Sequence, residues 1–207
     1  MRIGMNEYYK SLEGGIRVQI FQEFTSLADL KNAALKCQTC HLRQTCQGVV
    51  FGEGDENADV MIIGEGPGAR EDDLGRPFVG RAGELLTKML TAIQFDRSEV
   101  YITNIVKCRP PDNRTPTQQE MDVCLPILRQ QVKLIKPPII VLLGSASLKG
   151  LIDKNLKITQ VRGTWFEKKG VNILPTYHPA FLLRNPAKKR EAWEDLKALQ
   201  AKYDALS

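Results

Sequence analysis

Four cysteines fall into two distant pairs: Cys37 and Cys40, two residues apart in a C-x2-C motif, then Cys108 and Cys124, with fifteen residues between them. Thiolates are soft donors, and four that a fold brings together suit an iron–sulfur cluster or a zinc ion. Cys46 stands outside both pairs and is expected to be left over. The chain has two histidines. His41 follows a cysteine of the first pair. His178 follows the apolar run that ends at Thr176, where an active-site imidazole is expected.

Glycine- and proline-rich segments lie beside these residues. Gly64-Glu65-Gly66-Pro67-Gly68-Ala69 formally fits the dinucleotide fingerprint G-x-G-x-x-A. Pro67 removes an amide from that loop, Glu71, Asp72 and Asp73 would repel a pyrophosphate, and Val106-Lys107-Cys108 offers no acid for a ribose hydroxyl. These features argue against a nicotinamide-dependent oxidoreductase. Phe78, between Pro77 and Gly80, is held in a turn, where it suits a stacking platform better than a core. Asn104 offers a donor and an acceptor side by side, a match for the O4 and N3–H edge of uracil. Arg109-Pro110-Pro111-Asp112-Asn113-Arg114-Thr115-Pro116 sets two phosphate donors, Arg109 and Arg114, on a backbone stiffened by proline. Gly144-Ser145 reads as a tight turn that could approach a DNA phosphate. Phe181-Leu182-Leu183-Arg184 reads as an apolar loop tip, a wedge for a base stack, with an arginine behind it.

The elements that must position these residues follow from periodicity. Short apolar runs at Asp59–Ile63, Val100–Val106, Pro138–Leu143 and Val171–Thr176 predict four buried parallel strands. Ser26 caps a helix that runs to about Leu35 and delivers Cys37. Leu85, Leu86, Met89, Leu90 and Ile93 share one helical face. Thr115 to Gln118 reads as a capping box with Pro116 first in the helix, and Pro126 should kink or restart that helix. Asn185 and Pro186 open a last helix whose Trp193, Leu196, Leu199 and Tyr203 face the core. Alternating strands and helices predict a parallel sheet with both faces covered and function in the loops after its strands.

The 207 residues suffice for one domain; 25–207 is expected to form it, with 1–24 an extension of unknown role. A net charge of +5 suits a polyanionic partner. No leader or membrane-length apolar run is visible, so a cytoplasmic, reduced setting is expected, in which clustered cysteines are ligands rather than disulfides.

As a set, the Gly64–Gly68 loop, Gly75–Gly80, Asn104-x3-Cys108-Arg-Pro-Pro and His178-Pro-Ala resemble the family 4 uracil-DNA glycosylases. The resemblance implies an α/β/α three-layer sandwich with a central four-stranded parallel sheet. It implies a 4Fe–4S cluster on Cys37, Cys40, Cys108 and Cys124. It implies a uracil pocket of Glu65, Gly66, Phe78, Asn104 and His178, with Asn113 a further active-site residue. Gly144-Ser145 becomes a phosphate-pinching turn, and Leu182 or Leu183 the wedge. The expected partner is uracil-containing DNA, single- or double-stranded, bound by a monomer. Cys46 departs from the family pattern. No inserted basic loop with a histidine is present, so turnover is expected rather than covalent trapping of DNA.

Overall fold

The chain was analysed as a computed structural model that describes residues 23–206. The expected extension lies outside the described residues except for its last two positions. Strands β1 (Glu53–Gly54), β2 (Val60–Gly64), β3 (Tyr101–Asn104), β4 (Ile139–Leu143), β5 (Phe166–Lys168) and β6 (Val171–Thr176) form one sheet in the order β1-β3-β2-β4-β6-β5. The four central strands are parallel, as expected. The antiparallel edge strands β1 and β5 were not expected. They are two and three residues long, too short to show a period of two.

Strand alternation divides the core between two faces. Met61, Ile63, Ile140 and Leu142 meet helices α1 (Leu27–Leu35) and α5 (Gln118–Ile135). Val60, Ile62, Val141 and Leu174 meet α4 (Arg81–Ala92), α8 (Pro179–Arg184) and α9 (Lys189–Asp204). Helices α2 (Leu42–Thr45), α3 (Ala69–Leu74), α6 (Gly144–Leu151) and α7 (Ile158–Val161) complete the connections. The result is a helix–sheet–helix sandwich. Among the described residues, no helix is long and apolar enough to cross a membrane.

Five local expectations need correction. The capping box of α5 sits two residues later: Thr117 Oγ1 accepts from Glu120 N at 3.3 Å, and the Glu120 carboxylate accepts from Thr117 N at 2.7 Å. Pro116 therefore precedes the cap rather than opening the helix. Pro126 does not restart α5, which continues through it to Ile135. In α9 the buried stripe is Ala192, Asp195, Leu196 and Leu199, which turns Trp193 outward at 38 % exposure. Gly144-Ser145 is the first turn of α6, not a free loop, and the Phe-Leu-Leu segment is helical as α8.

The register matters most for function. Gly64 pairs with Asn104, Ile63 with Leu142, and Leu143 with Thr176, so the carboxyl ends of the four parallel strands finish side by side. The loops after β2, β3, β4 and β6 all leave the sheet from that edge.

Candidate active site and metal centre

A cleft of about 470 Å³ opens along this edge. The turn after β2 supplies Glu65 and Gly66, the segment before α4 supplies Phe78, and β3 ends in it with Asn104. The proline loop adds Asn113 and Arg114, α6 adds Gly144 and Ser145, and the segment after β6 adds His178 and Arg184. Arg109, Leu182 and Leu183 do not line it.

Phe78 is 6 % exposed and adopts φ 50°, an uncommon value for a residue with a β-carbon. Its surroundings hold it there. Glu71 Oε1 accepts from Val79 N at 2.9 Å and Gly80 N at 2.8 Å, at the N-terminus of α4, where a carboxylate is favoured. Arg97 Nη2 donates to the Pro77 carbonyl at 2.7 Å. A β-carbon on Gly83 would stand 1.8 Å from the Phe78 carbonyl oxygen, so α4 presses its bare backbone on this peptide.

The Asn104 side chain meets Phe78 across Gly64. A β-carbon at Gly64 would lie 2.4 Å from Asn104 Oδ1 and 2.5 Å from Phe78 Cζ. Asn104 is 1 % exposed, and its Oδ1 is buried without a protein partner. A buried acceptor left open costs stability.

His178 caps α8. Its Nδ1 accepts from Ala180 N at 3.1 Å, so Nε2 carries the proton and remains the donor. Its ring lies 5.6 Å from that of Phe78, tilted by 31°. Gly144 has φ 86°, and a β-carbon there would come 2.9 Å from His178 Cβ; only glycine permits this approach. Burial, with Arg184 nearby, pushes the His178 pKa down to about 4, so the imidazole is neutral near pH 7.

That shift has a consequence for stability. The ordinary value is 6.5 and the folded value about 4, so the unfolded chain binds the proton first as pH falls. The contribution is complete above pH 6.5 and is lost as pH drops towards 4. Melting temperature should fall between pH 7 and pH 5, and His178→Ala should show less of that fall. Equal pH dependence in both proteins would show that another group governs it. Glu120 acts in a lower window, from 4.5 down to about 2.

Around the cleft several charges are already engaged. Arg114 forms two hydrogen bonds to Glu120, at 2.8 and 2.6 Å, which holds that carboxylate at about 2. His41 Nε2 lies 2.7 Å from the same carboxylate, tying the first cysteine pair to the proline loop. Arg109 Nε donates to Asn113 Oδ1 at 2.8 Å. Asp112 and Asn113 both adopt φ 54°. The Glu65 carboxyl is raised by burial, with a hydrogen bond to Thr115 opposing.

Leu182 is 1 % exposed and belongs to the core against α4, which overturns its expected place at an exposed tip. Leu183 is half-buried outside the cleft. Phe181, stacked 4.9 Å from Tyr177, lines the cleft instead. Glu71, Tyr177 and Phe181 also line the cleft and were not among the expected site residues. Only Phe181 carried a signal, as part of the apolar segment.

A second, small cavity is lined by all four paired cysteines together with Leu42, Val49, Val123 and Ile127. The Lys107 amide donates to Cys124 Sγ at 3.2 Å. Burial pushes the Cys124 thiol up to about 12 and raises Cys40 and Cys108 as well. Such a site disfavours thiolates until a cation compensates them, as bound metal does. Among the described residues, no three His, Cys, Asp or Glu side chains stand close enough to hold a single metal ion. A multi-iron cluster spaces its four thiolates more widely than one ion does, and the donor set fits it. Cys46 adjoins Cys108 without lining this cavity.

Residues 51–197 match the uracil DNA glycosylase superfamily, and the chain belongs to it. Its curated relatives include several type-4 enzymes. The type-4 uracil-DNA glycosylase of Thermotoga maritima is 47 % identical over 154 residues, covering 72 % of this chain and 79 % of the relative. That of Sulfurisphaera tokodaii is 44 % identical over 184 residues, covering 84 % of each chain. That of Pyrobaculum aerophilum is 43 % identical over 178 residues, covering 82 % of this chain and 91 % of the relative.

Proposed function

We propose that the cleft takes a deoxyuridine flipped out of DNA and hydrolyses its N-glycosidic bond, releasing uracil and leaving an abasic site. The observation that carries this reading is the open Asn104 Oδ1, buried beside the Phe78–His178 ring pair. The glycosidic bond is unreachable inside a duplex, so the nucleotide must leave the stack. Phe78 stacks on the base. Asn104 Oδ1 accepts from uracil N3–H and its amide donates to O4. Glu65, at the wall, crowds the 5-methyl group of thymine. As the bond breaks, charge gathers on uracil O2, where the neutral His178 donates through Nε2–H, aided by a backbone amide of the Gly64–Gly68 loop. Water captures the oxocarbenium-like sugar. Glu65 and Asn113 both line the cleft, and Arg109 already occupies Asn113 Oδ1, which favours Glu65 for holding the water. A uracil-containing strand should acquire alkali-labile breaks on incubation with the protein. Equal breakage of the same strand carrying thymine would refute the assignment.

Cys37, Cys40, Cys108 and Cys124 would hold a 4Fe–4S cluster of structural role. When bound, it cross-links the segment after α1 to the proline loop. Purified protein should be brown, absorbing near ~400 nm as iron–thiolate charge transfer does. Cys46→Ser should keep the colour and Cys108→Ser should lose it or unfold. A colourless protein with stoichiometric zinc would exclude the cluster.

DNA would be held through Arg184, Arg109, Arg114 and the Gly144-Ser145 turn. Affinity should fall steeply with salt, each phosphate contact adding roughly −0.9 to the log–log slope on duplex DNA. Arg184 is exposed in the cleft, whereas Arg114 is tied to Glu120. Arg184→Ala should therefore flatten the slope more than Arg114→Ala. The reverse order would show that the Glu120 pair opens on binding.

A further inference from the structure

Lys107 lies between Asn104, which ends in the cleft, and Cys108, which lines the cysteine cavity. Its side chain is buried, with the residue 1 % exposed. Nζ stands 2.5 Å from Thr103 Oγ1, 2.7 Å from the Asn104 carbonyl oxygen and 2.6 Å from Gln131 Oε1. All three partners accept. Thr103 commits its proton to the Phe51 carbonyl at 2.9 Å. Gln131 Nε2 faces the Phe51 carbonyl at 2.9 Å and the Tyr101 hydroxyl at 3.1 Å, which turns Oε1 towards the lysine. Three acceptors call for three N–H donors. The three contacts thus hold the lysine side chain in one place. None of the three partners is a carboxylate.

A buried polar side chain is kept only where its hydrogen bonds are satisfied, and here all three acceptors converge on one nitrogen. What it holds is the peptide that carries Asn104. The Asn104 side-chain oxygen has no protein partner, so its direction depends on its backbone and on the wall formed by Gly64 and Phe78. The far end of the segment is fastened too. The Lys107 amide donates to Cys124 Sγ at 3.2 Å, and its carbonyl accepts from Val50 N at 2.7 Å. A fully satisfied buried network has one arrangement, and a base-reading amide needs one arrangement.

We propose that Lys107 is a positioning residue for base recognition: its side-chain nitrogen, held by three acceptors, fixes the Asn104 peptide at the end of β3 and thereby sets the direction in which the Asn104 amide faces the base. This rests on the cleft being the uracil pocket.

The test is a double-mutant cycle of Lys107→Met and Asn104→Ala in the full-length, metal-loaded protein, with the visible absorbance confirming that each variant retains its metal. Methionine keeps the length of the side chain and removes its donors. Lys107→Met should lower single-turnover uracil excision by about 10–100-fold. Affinity for DNA that already carries an abasic site should stay within about twofold, because no base remains to be read. In the Asn104→Ala background the same change should cost nothing further. Additive losses, or an equal loss of abasic-site affinity, would make Lys107 merely structural and overturn the proposal. If Asn104→Ala alone excises at the parental rate, the pocket reading fails and the proposal falls with it. Should Lys107→Met fail to fold, Gln131→Met removes one acceptor without touching Asn104 or a cysteine. It should show the same non-additivity, and additivity there would equally refute the clamp.

Discussion

Asn104→Asp is expected to lower uracil excision by about a thousandfold or more, the range in which a site built to hydrogen-bond its substrate rejects a mismatched partner. The change replaces the amide donor with a second acceptor. Facing uracil, that oxygen would oppose O4, acceptor against acceptor. The position is 1 % exposed, so little water can relieve the conflict. Gly64 and Phe78 pack against the side chain and restrict its escape. Cytosine presents the reverse pattern, with N4 as donor and N3 as acceptor. Aspartate can accept from N4 and, if protonated, donate to N3, so a low cytosine-excising activity should appear. Matched uracil and cytosine oligonucleotides measure both effects. A variant that removes uracil at nearly the parental rate would show that Asn104 does not read the base.

His178→Ala should cost about 10²–10³ in the rate of excision, the usual value of a donor aimed at developing oxyanion charge. Binding of uracil-containing DNA should change little, because the charge on O2 develops only as the bond breaks. The structure sharpens this expectation. Nδ1 is committed to Ala180 N, and the depressed pKa keeps the ring neutral, so the donor is one defined N–H rather than a cation attracted to any phosphate. Equal losses of affinity and rate would mean that His178 shapes the loop through its place beside Gly144 and Phe78.

Strands β2 and β4 were legible because each is an unbroken apolar run bounded by glycine or proline, the pattern of a strand buried on both faces. The cleft was legible for a related reason. Its loops need tight turns and close backbone approaches, and glycine and proline mark those in sequence, as Gly64 and Gly144 confirm. What was not legible depends on contacts distant in sequence or through space. Glu71 read as a charge that repels phosphate, whereas it organises the turn carrying Phe78 across eight and nine residues. Lys107 entered the sequence reading only as part of a strand end without an acid, and nothing in its spacing announces burial against Gln131, twenty-four residues away. Arg114 read as a free phosphate donor, and its partner Glu120 lies in the next helix. The buried Leu182 was the avoidable miss. Pro179 directly after His178 is a helix-opening signal, and a helix there turns one of its leucines into the core.

The most direct test of the site is a crystal structure of the protein with free uracil. The base should lie against Phe78, with N3–H on Asn104 Oδ1 and O2 facing His178 Nε2. Uracil bound elsewhere, or in this cleft with its N3 edge turned away from Asn104, would contradict the assignment of the pocket.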